Sequence, residues 1–274
     1  MSPAHAVLLG LLQGLTEFLP VSSSGHLVIV PALLHWPTPG IVFTVVVHVG
    51  TLLAVVVYYW RDWRQLLSGT FRWMSRGCPR PLPPQARLVL WLLAATVPAA
   101  LVGVALAGPI ERMFNSTALV AGALLVTGLI LLVAHARGTG QVGETKMSLG
   151  QALVIGCAQA VAVVPGLSRS GLTIGAGLIV GLERNWAARF AFLLSVPVIA
   201  GAGLKEGIDL IAAKPNAAEG LVLALGMLAS ALSGLVAIYL VVRVVQSKRF
   251  WWFGVYCLGA GAAALIARAT GYIG

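Results

Sequence analysis

A short polar segment near the start of the chain carries the residue types that hydrolytic enzymes use. Residues 13–26 contain a carboxylate, three consecutive hydroxyls and an imidazole: Glu17, Ser22, Ser23, Ser24 and His26. A hydroxyl beside a neutral histidine is an activated nucleophile, and the same histidine can protonate a leaving oxygen. Ser22 and Ser23 lie four and three residues before His26, so either hydroxyl can share a helical face with the imidazole.

The spacing leaves several roles open in this segment. Glu17 could orient His26, hold a divalent cation, or do both. It could also be a buried hydrogen-bonded group, with His26 an ordinary histidine of a helix bundle. Nothing in the spacing chooses between Ser22 and Ser23, or between a serine nucleophile and a metal-bound water that Glu17 deprotonates. His48, in the middle of another apolar run, is expected to line a cavity rather than to react.

A second polar segment, at residues 165–173, adds a cation and more hydroxyls. Its Arg169 carries a planar guanidinium that suits phosphate oxygens. The residues that accompany it are Ser168, Ser170, Gly171 and Thr173. Helix N-termini present unpaired backbone N–H groups and a partial positive charge, so a helix starting here predicts an anion site. Ordinary N-caps would explain one serine in each segment, but not an arginine inside an apolar run.

Both polar segments interrupt long apolar runs in a chain with the composition of a membrane protein. Hydrophobic residues make up 59% and charged residues 9% of the sequence, and the mean hydropathy is +0.94. A charge at mid-bilayer costs at least about 2.5–3.5 kcal/mol, so ionisable residues there indicate function. The net charge of +10 does not indicate nucleic-acid binding, because the basic residues lie in short loops between apolar spans. Three scattered cysteines predict neither a disulfide framework nor a metal site.

The two polar segments superpose when the chain is shifted by 146 residues. The residues that meet their own type are Gly10, Gln13, Ser22, Ser24 and Gly25, on Gly156, Gln159, Ser168, Ser170 and Gly171. Weak symmetry with interrupted apolar segments is typical of inverted repeats whose broken helices meet near mid-bilayer. We therefore predict a single all-α polytopic membrane domain, with one repeat over about 1–140 and the other over about 147–274.

Ten helices are predicted, four of them in two re-entrant hairpins. The hairpin halves are 3–19 and 23–35, then 148–164 and 168–181, and the full spans lie at about 41–60, 87–107, 117–136, 186–211, 219–245 and 250–272. If each hairpin returns to the side it entered, thirteen basic residues face the cytoplasm, six of them in the loop 61–87, against four outside. Arg169 is left in the membrane. Each repeat then crosses an odd number of times, so the hairpins enter from opposite sides.

The two segments closely resemble the signature motifs of the bacterial undecaprenyl-diphosphate phosphatases, the bacitracin-resistance family. The matching patterns are Gln13-x3-Glu17 with Pro-x-Ser-Ser-Ser-Gly-His26, and Pro165-Gly-x-Ser-Arg169-Ser-Gly-x-Thr173. The resemblance covers essentially the whole chain. It implies hydrolysis of undecaprenyl diphosphate to the monophosphate and inorganic phosphate, which recycles the lipid carrier of cell-wall synthesis. It further implies a place in the bacterial inner membrane, with the site open to the outer face.

The resemblance also implies residue roles. Glu17, Ser23, His26 and Arg169 would form the catalytic core, with Ser23 as the nucleophile and Glu17 as the metal ligand. The substrate contacts would be Gln13, Ser22, Ser24, Gly25, Ser168, Ser170, Gly171 and Thr173. A divalent cation, Mg²⁺ or Ca²⁺, would assist. The family's first motif often begins with Glu where this chain has Gln13, which leaves Glu17 as the only acidic ligand.

Two rival functions are set against this expectation. Inverted repeats with broken helices are typical of secondary transporters, so the chain could move a lipid carrier or an anion instead of cleaving it. A second lipid phosphatase superfamily has a similar Ser-Gly-His, but it needs a histidine where this chain has Gly175. The expected partners are a polyprenyl diphosphate and membrane lipids, without nucleic acid. A homo-oligomer is left open.

Overall fold

The computed structural model describes residues 1–138, 140–213, 217–247 and 249–274, and most of these residues are helical. Twelve α-helices occur in these ranges. They are α1 (Pro3–Phe18), α2 (Ser23–Leu33), α3 (Ile41–Tyr58), α4 (Trp60–Ser75), α5 (Pro84–Ala105), α6 (Ala107–Met113), α7 (Thr117–Arg137), α8 (Leu149–Val161), α9 (Arg169–Ile179), α10 (Arg184–Ala213), α11 (Ala217–Gln246) and α12 (Trp251–Ala269). A 3₁₀ turn at Glu144–Lys146 precedes α8.

All ten predicted helices are confirmed, with ends close to the predicted ones. The two additional helices, α4 and α6, lie in stretches that were predicted as loops. α4 is too polar to form an apolar run, but its apolar residues recur at helical spacing. Leu66 is buried and Trp63 packs against the core, so one face of α4 covers the bundle. α6 is a single short helix of seven residues.

Five helices in the described ranges are long and apolar enough to cross a bilayer. Their spans are Pro84–Ala105, Thr117–Arg137, Arg184–Gly203, Glu219–Gln246 and Trp251–Ala269. α3 meets the same criterion only together with α4, from which it is bent by 75°. A crossing needs about 20 residues, and α1, α2, α8 and α9 have 16, 11, 13 and 11. The chain is therefore an all-α polytopic membrane protein with two pairs of half-length helices.

Each pair of half-length helices closes on itself, as the re-entrant hairpins require. In the first pair, the His5 ring at the start of α1 lies 4.5 Å from the Trp36 ring beyond the end of α2, measured between centroids. In the second pair, the Val142 N–H donates to the Gly181 carbonyl at 3.0 Å, and the Glu183 N–H donates back to Val142 at 3.0 Å. The chain thus enters and leaves each hairpin at one end of the bundle.

The connections between helices fall into two groups. Within each group the connections contact each other, as expected if one group lies on each side of the membrane. In the group predicted to be cytoplasmic, Arg189 forms ion pairs with Asp62 and with Glu144, the latter at 3.1 Å. In the group predicted to lie outside, Arg268 Nη1 donates to Thr117 Oγ1 at 2.7 Å. Lys214 and Lys248, which enter the charge count, lie outside the described residues, and the side chain of Lys205 is likewise not described.

The two halves use matching helix contacts. α1 of the first predicted repeat packs on α11 of the second, and its counterpart α8 of the second packs on α5 of the first. A Cβ added at Gly10 would lie 2.4 Å from the Gly226 carbonyl oxygen, and one added at Gly156 would lie 2.4 Å from the Ala95 carbonyl oxygen. Small residues let membrane helices approach closely. Gly10 and Gly156, which the 146-residue shift superposes, therefore make equivalent close contacts between helices.

Candidate active site

The tips of the two hairpins are in direct contact. Ser22 Oγ donates to the Leu167 carbonyl at 3.3 Å, and the Gly166 N–H donates to Ser24 Oγ at 3.3 Å. From the second tip, Ser170 Oγ donates to the Leu19 carbonyl at 3.1 Å. The contacts join residues that are more than 140 positions apart in the sequence. The predicted meeting of the two polar segments is confirmed.

Both half-helices at the tips begin with a serine N-cap. Ser22 Oγ accepts from the Gly25 N–H at 3.2 Å, and Ser168 Oγ accepts from the Gly171 N–H at 3.0 Å. Ser22 adopts φ 69°, in a region that non-glycine residues seldom occupy. Such strained backbone persists only where surrounding contacts enforce it, and it concentrates at functional sites. Ser22 and Ser168 are therefore N-caps, as one of the interpretations of the sequence had it. Both residues also line a cavity between the two tips, which is described below.

The second tip is also held from α7, by a residue that the sequence analysis did not single out. Thr127 Oγ1 donates to the Gly166 carbonyl at 3.2 Å and accepts from the Ser168 N–H at 3.1 Å. Gly166 has φ 91°, and a Cβ at this position would lie 2.3 Å from the Val120 carbonyl oxygen. Only glycine fits this turn. The turn places the start of α9, with Arg169, against the first tip.

Glu17 is the centre of the site. Its carboxylate accepts hydrogen bonds from Ser23 Oγ at 2.5 Å and from Gln13 Nε2 at 2.9 Å. It forms an ion pair with Nη2 of Arg169, and His48 Nε2 lies 3.7 Å from its Oε2. The Glu17 side chain is only 5% exposed. The structure therefore brings the predicted acid, hydroxyl and guanidinium together in one buried cluster.

His26 takes a different position from the one that its spacing suggests. Its Nδ1 lies 2.8 Å from the Ser22 carbonyl oxygen, because the ring folds back onto the first turn of α2. Its Nε2 lies 2.7 Å from the hydroxyl of Tyr256 on α12. The Ser23 hydroxyl pairs with Glu17 instead of with the imidazole. Tyr256 carried no sequence signal, since it lies 230 residues away in an ordinary apolar span.

A cavity of about 300 Å³ opens from the cluster. Its polar end is formed by Glu17, Ser22, Ser23, Ser24, His48, Ser168 and Arg169. Its walls are largely apolar, with side chains from α3 and α10 and with Phe114 from the α6–α7 connection. Nη1 of Arg169 is buried and has no hydrogen-bond partner in the described residues. The cavity therefore suits an amphiphile with an anionic head and an apolar tail.

The other predicted substrate contacts lie behind the cavity surface. Gln13 bonds Glu17, and Thr173 Oγ1 donates to the Arg169 carbonyl at 2.8 Å. Ser170 is bonded across the tips to Leu19, and Gly25 and Gly171 pack against the capping serines. In the structure these residues contact protein groups and support the tips. Their predicted contacts with substrate stay predictions.

The residues at the tips fit a divalent cation poorly. Among the described side chains, Glu17 is the only carboxylate that lines the cavity, and Arg169, Ser23 and Gln13 already bond it. Across the described part of the chain, no three His, Cys, Asp or Glu side chains cluster in a way that could hold a metal ion. A hard cation prefers several oxygen ligands. Any ion would therefore depend on phosphate oxygens of the substrate, and we derive no step through it.

The sequence matches one protein family and several named relatives over nearly its whole length. Residues 6–263 match the protein family described as Bacitracin resistance protein BacA. An undecaprenyl-diphosphatase of Geobacter sulfurreducens is 44% identical over 97% of this chain and 98% of its own length. Undecaprenyl-diphosphatases of Pelobacter propionicus and Trichlorobacter lovleyi are 42% and 39% identical over the full length of both chains.

Proposed function

Because the chain belongs to the Bacitracin resistance protein BacA family, we propose that it hydrolyses undecaprenyl diphosphate to undecaprenyl phosphate and inorganic phosphate. The relatives that match over the full length carry the name of this activity. Release of the monophosphate returns the lipid carrier to cell-wall synthesis, and removal of the diphosphate confers resistance to bacitracin. The enzyme is a phosphoric anhydride hydrolase embedded in the membrane.

The observation that carries this proposal is the Glu17–Ser23–Arg169 cluster at the polar end of an apolar cavity. A hydroxyl, a base and a fixed cation in contact are the parts that phosphoryl transfer needs. A transporter needs a binding site but has no use for a hydroxyl held against a carboxylate. The apolar walls accommodate the start of a prenyl chain, whose remainder lies in lipid.

Each residue of the cluster has a chemical task in this scheme. Ser23 Oγ attacks the terminal phosphorus while Glu17 takes its proton across the 2.5 Å hydrogen bond. The bridging P–O bond breaks and its electron pair leaves with the undecaprenyl phosphate. Nη1 of Arg169 and the backbone N–H groups at the start of α9 stabilise the negative charge on the transferred phosphoryl oxygens.

Three parts of this proposal go beyond the family assignment. The membrane is the bacterial inner membrane, and the site opens to its outer face. The supporting observations are the basic residues of the loop 61–87 at one end of the bundle and Phe114, in a connection at the other end, on the cavity wall. A divalent cation, Mg²⁺ or Ca²⁺, is the third part: among the described residues Glu17 is the only carboxylate that could be its ligand, so oxygens of the substrate would supply the others.

Phosphate release from undecaprenyl diphosphate by the purified protein tests the proposed function. Wild type should release one phosphate per substrate, and acid quench within the first turnovers should trap a phosphoserine at Ser23. Ser23→Ala should abolish both signals, whereas Ser75→Ala, an exposed serine on α4, should leave them unchanged. A chelator arm, with Mg²⁺ or Ca²⁺ added back, reports the cation requirement.

The same variants separate hydrolysis from the transport alternative and from other mechanisms. If the protein were a transporter, its Ser23→Ala and His26→Ala variants would still move labelled lipid across vesicle membranes. The wild-type protein would then release no phosphate. Attack by a water that Glu17 deprotonates would give phosphate release without a phosphoserine at any time point. A trapped phosphoserine that is lost in His26→Ala but retained in Glu17→Gln would assign the proton transfer to the imidazole.

A further inference from the structure

His48 presents a free imidazole nitrogen to the catalytic cavity. Its Nδ1 lies 2.7 Å from the Thr44 carbonyl oxygen one turn earlier on α3, which places the proton on Nδ1. The lone pair of Nε2 therefore faces the cavity, 3.7 Å from Oε2 of Glu17. This separation is too long for a hydrogen bond. The side chain is 32% exposed, so water in the cavity reaches it.

Among the described side chains, the two other proton acceptors of the site, Glu17 and His26, are already engaged. Glu17 accepts the hydrogen bond of Ser23, so the carboxylate takes the proton of the serine when the hydroxyl attacks. His26 has its ring nitrogens at 2.8 Å from the Ser22 carbonyl oxygen and 2.7 Å from the Tyr256 hydroxyl, and it does not line the cavity. Release of phosphate from Ser23 requires a water to lose a proton while Glu17 still carries one. That step needs a second base.

We propose that His48 is this second base. The proposal rests on the proposed function, since it assigns the second half of the same reaction. Water attacks the phosphorus of phosphorylated Ser23 and gives a proton to Nε2 of His48. The P–Oγ bond breaks, Ser23 Oγ takes back the proton held by Glu17, and inorganic phosphate leaves. The proton on His48 then passes to bulk water, so the enzyme returns to its starting state.

The test separates the two halves of the reaction in His48→Gln. The amide can hold a hydrogen bond but cannot take a proton, so the first half should proceed and the second should slow. We expect a burst of about one undecaprenyl phosphate per enzyme, followed by turnover reduced at least about 100-fold, the usual contribution of a general base. Phosphoserine at Ser23 should accumulate, as measured by acid quench and mass spectrometry. The matched control is His5→Gln, which should retain wild-type kinetics.

Rescue of His48→Ala by imidazole distinguishes a base from a residue that only supports the structure. Imidazole added to this variant should enter the space left by the side chain and restore the slow second half without changing the burst. Turnover of His48→Gln within about threefold of wild type would overturn the proposal, and so would slow turnover without accumulated phosphoserine or without rescue. Hydrolysis that survives in Ser23→Ala would instead refute the nucleophile, and with it the proposed mechanism.

Discussion

At the scale of single residues, a paired carboxylate explains how charge is tolerated inside the bundle. Glu17 is bonded to Arg169, Ser23 and Gln13, so its ionised form is compensated where water is largely excluded. Buried ion pairs contribute little net stability, but removing one partner leaves an uncompensated charge. The pair is therefore better explained by its chemistry than by its contribution to the fold.

Arg169→Lys tests the geometry of the guanidinium separately from its charge. The arginine uses Nη2 for Glu17, while Nη1 has no partner among the described residues and is the group that we propose binds phosphate; a single ammonium cannot occupy both positions. Phosphate release should fall at least about 100-fold, while the protein stays folded because the positive charge is kept. Arg268→Lys, at the far end of α12, is the matched control. Activity of Arg169→Lys within about threefold of wild type would contradict a role for both terminal nitrogens of the guanidinium.

The sequence predicts that Glu17, Ser23 and Arg169 share one site, and the structure places them together, but the sequence does not predict which side chains are in contact. Glu17, Ser23 and Arg169 stand inside apolar runs, where only a function explains ionisable or polar groups. Spacing along a helix paired the hydroxyls with His26, whereas the backbone break between α1 and α2 turns Ser23 towards Glu17. The partner of His26, Tyr256, comes from the other end of the chain. No local pattern marks such a contact.

At the scale of helices, the lengths of the apolar runs predict ten of the twelve described helices. They do not predict the amphipathic helix α4 or the short helix α6. The spans and half-helices are runs of apolar residues with polar breaks, and the bilayer thickness sets their length. α4 escaped prediction because its apolar residues cover one face only, while four of its residues are charged. The 146-residue shift, by contrast, pairs Gly10 with Gly156, and these two glycines make equivalent helix contacts in the folded protein.

Substitution of Gly10 by alanine tests the close packing of α1 on α11. The added methyl group would lie 2.4 Å from the Gly226 carbonyl oxygen, so the helices must separate. Overpacking typically costs about 1–3 kcal/mol, and about 2–4 °C of Tm accompanies each kcal/mol in chains of roughly this size. Gly156→Ala should lower Tm similarly, since its Cβ meets the Ala95 carbonyl oxygen at 2.4 Å.

The matched control for both variants is Gly103→Ala, a helical glycine of α5 with no atom within 4 Å of the added carbon. It should leave Tm unchanged or raise it slightly, because alanine favours the helix. The measurement is thermal unfolding of the purified protein in one detergent. Equal Tm values for Gly10→Ala and Gly103→Ala would show that the two helices are not in the contact that the structure describes.

At the scale of the whole molecule, two observations of different kind agree on topology. Lys and Arg outnumber Asp and Glu by 18 to 8, and their distribution between loops predicts two re-entrant hairpins. Independently, the ends of each hairpin contact each other, through His5 and Trp36 in one and through Val142 and Gly181 in the other. Hairpins that insert from opposite sides can present their tips to each other, which is how Glu17 meets Arg169.

Cysteine accessibility in intact cells tests this arrangement with a residue that the chain already has. Cys78 is exposed in the connection between α4 and α5, Cys257 is buried, and Cys157 is exposed on the half-length helix α8, on a surface that the bilayer would cover. A membrane-impermeant maleimide should therefore label the protein only after the membrane is opened, and Cys78→Ser should remove the signal. In that background, Asn115→Cys in the α6–α7 connection should react in intact cells, because it lies at the opposite end of the bundle.

Gln141→Cys and Asn185→Cys, which flank the second hairpin, should both require opening of the membrane. Labelling of these two from opposite sides would mean that α8 and α9 form one continuous crossing, and Arg169 could then not reach Glu17 from the second tip.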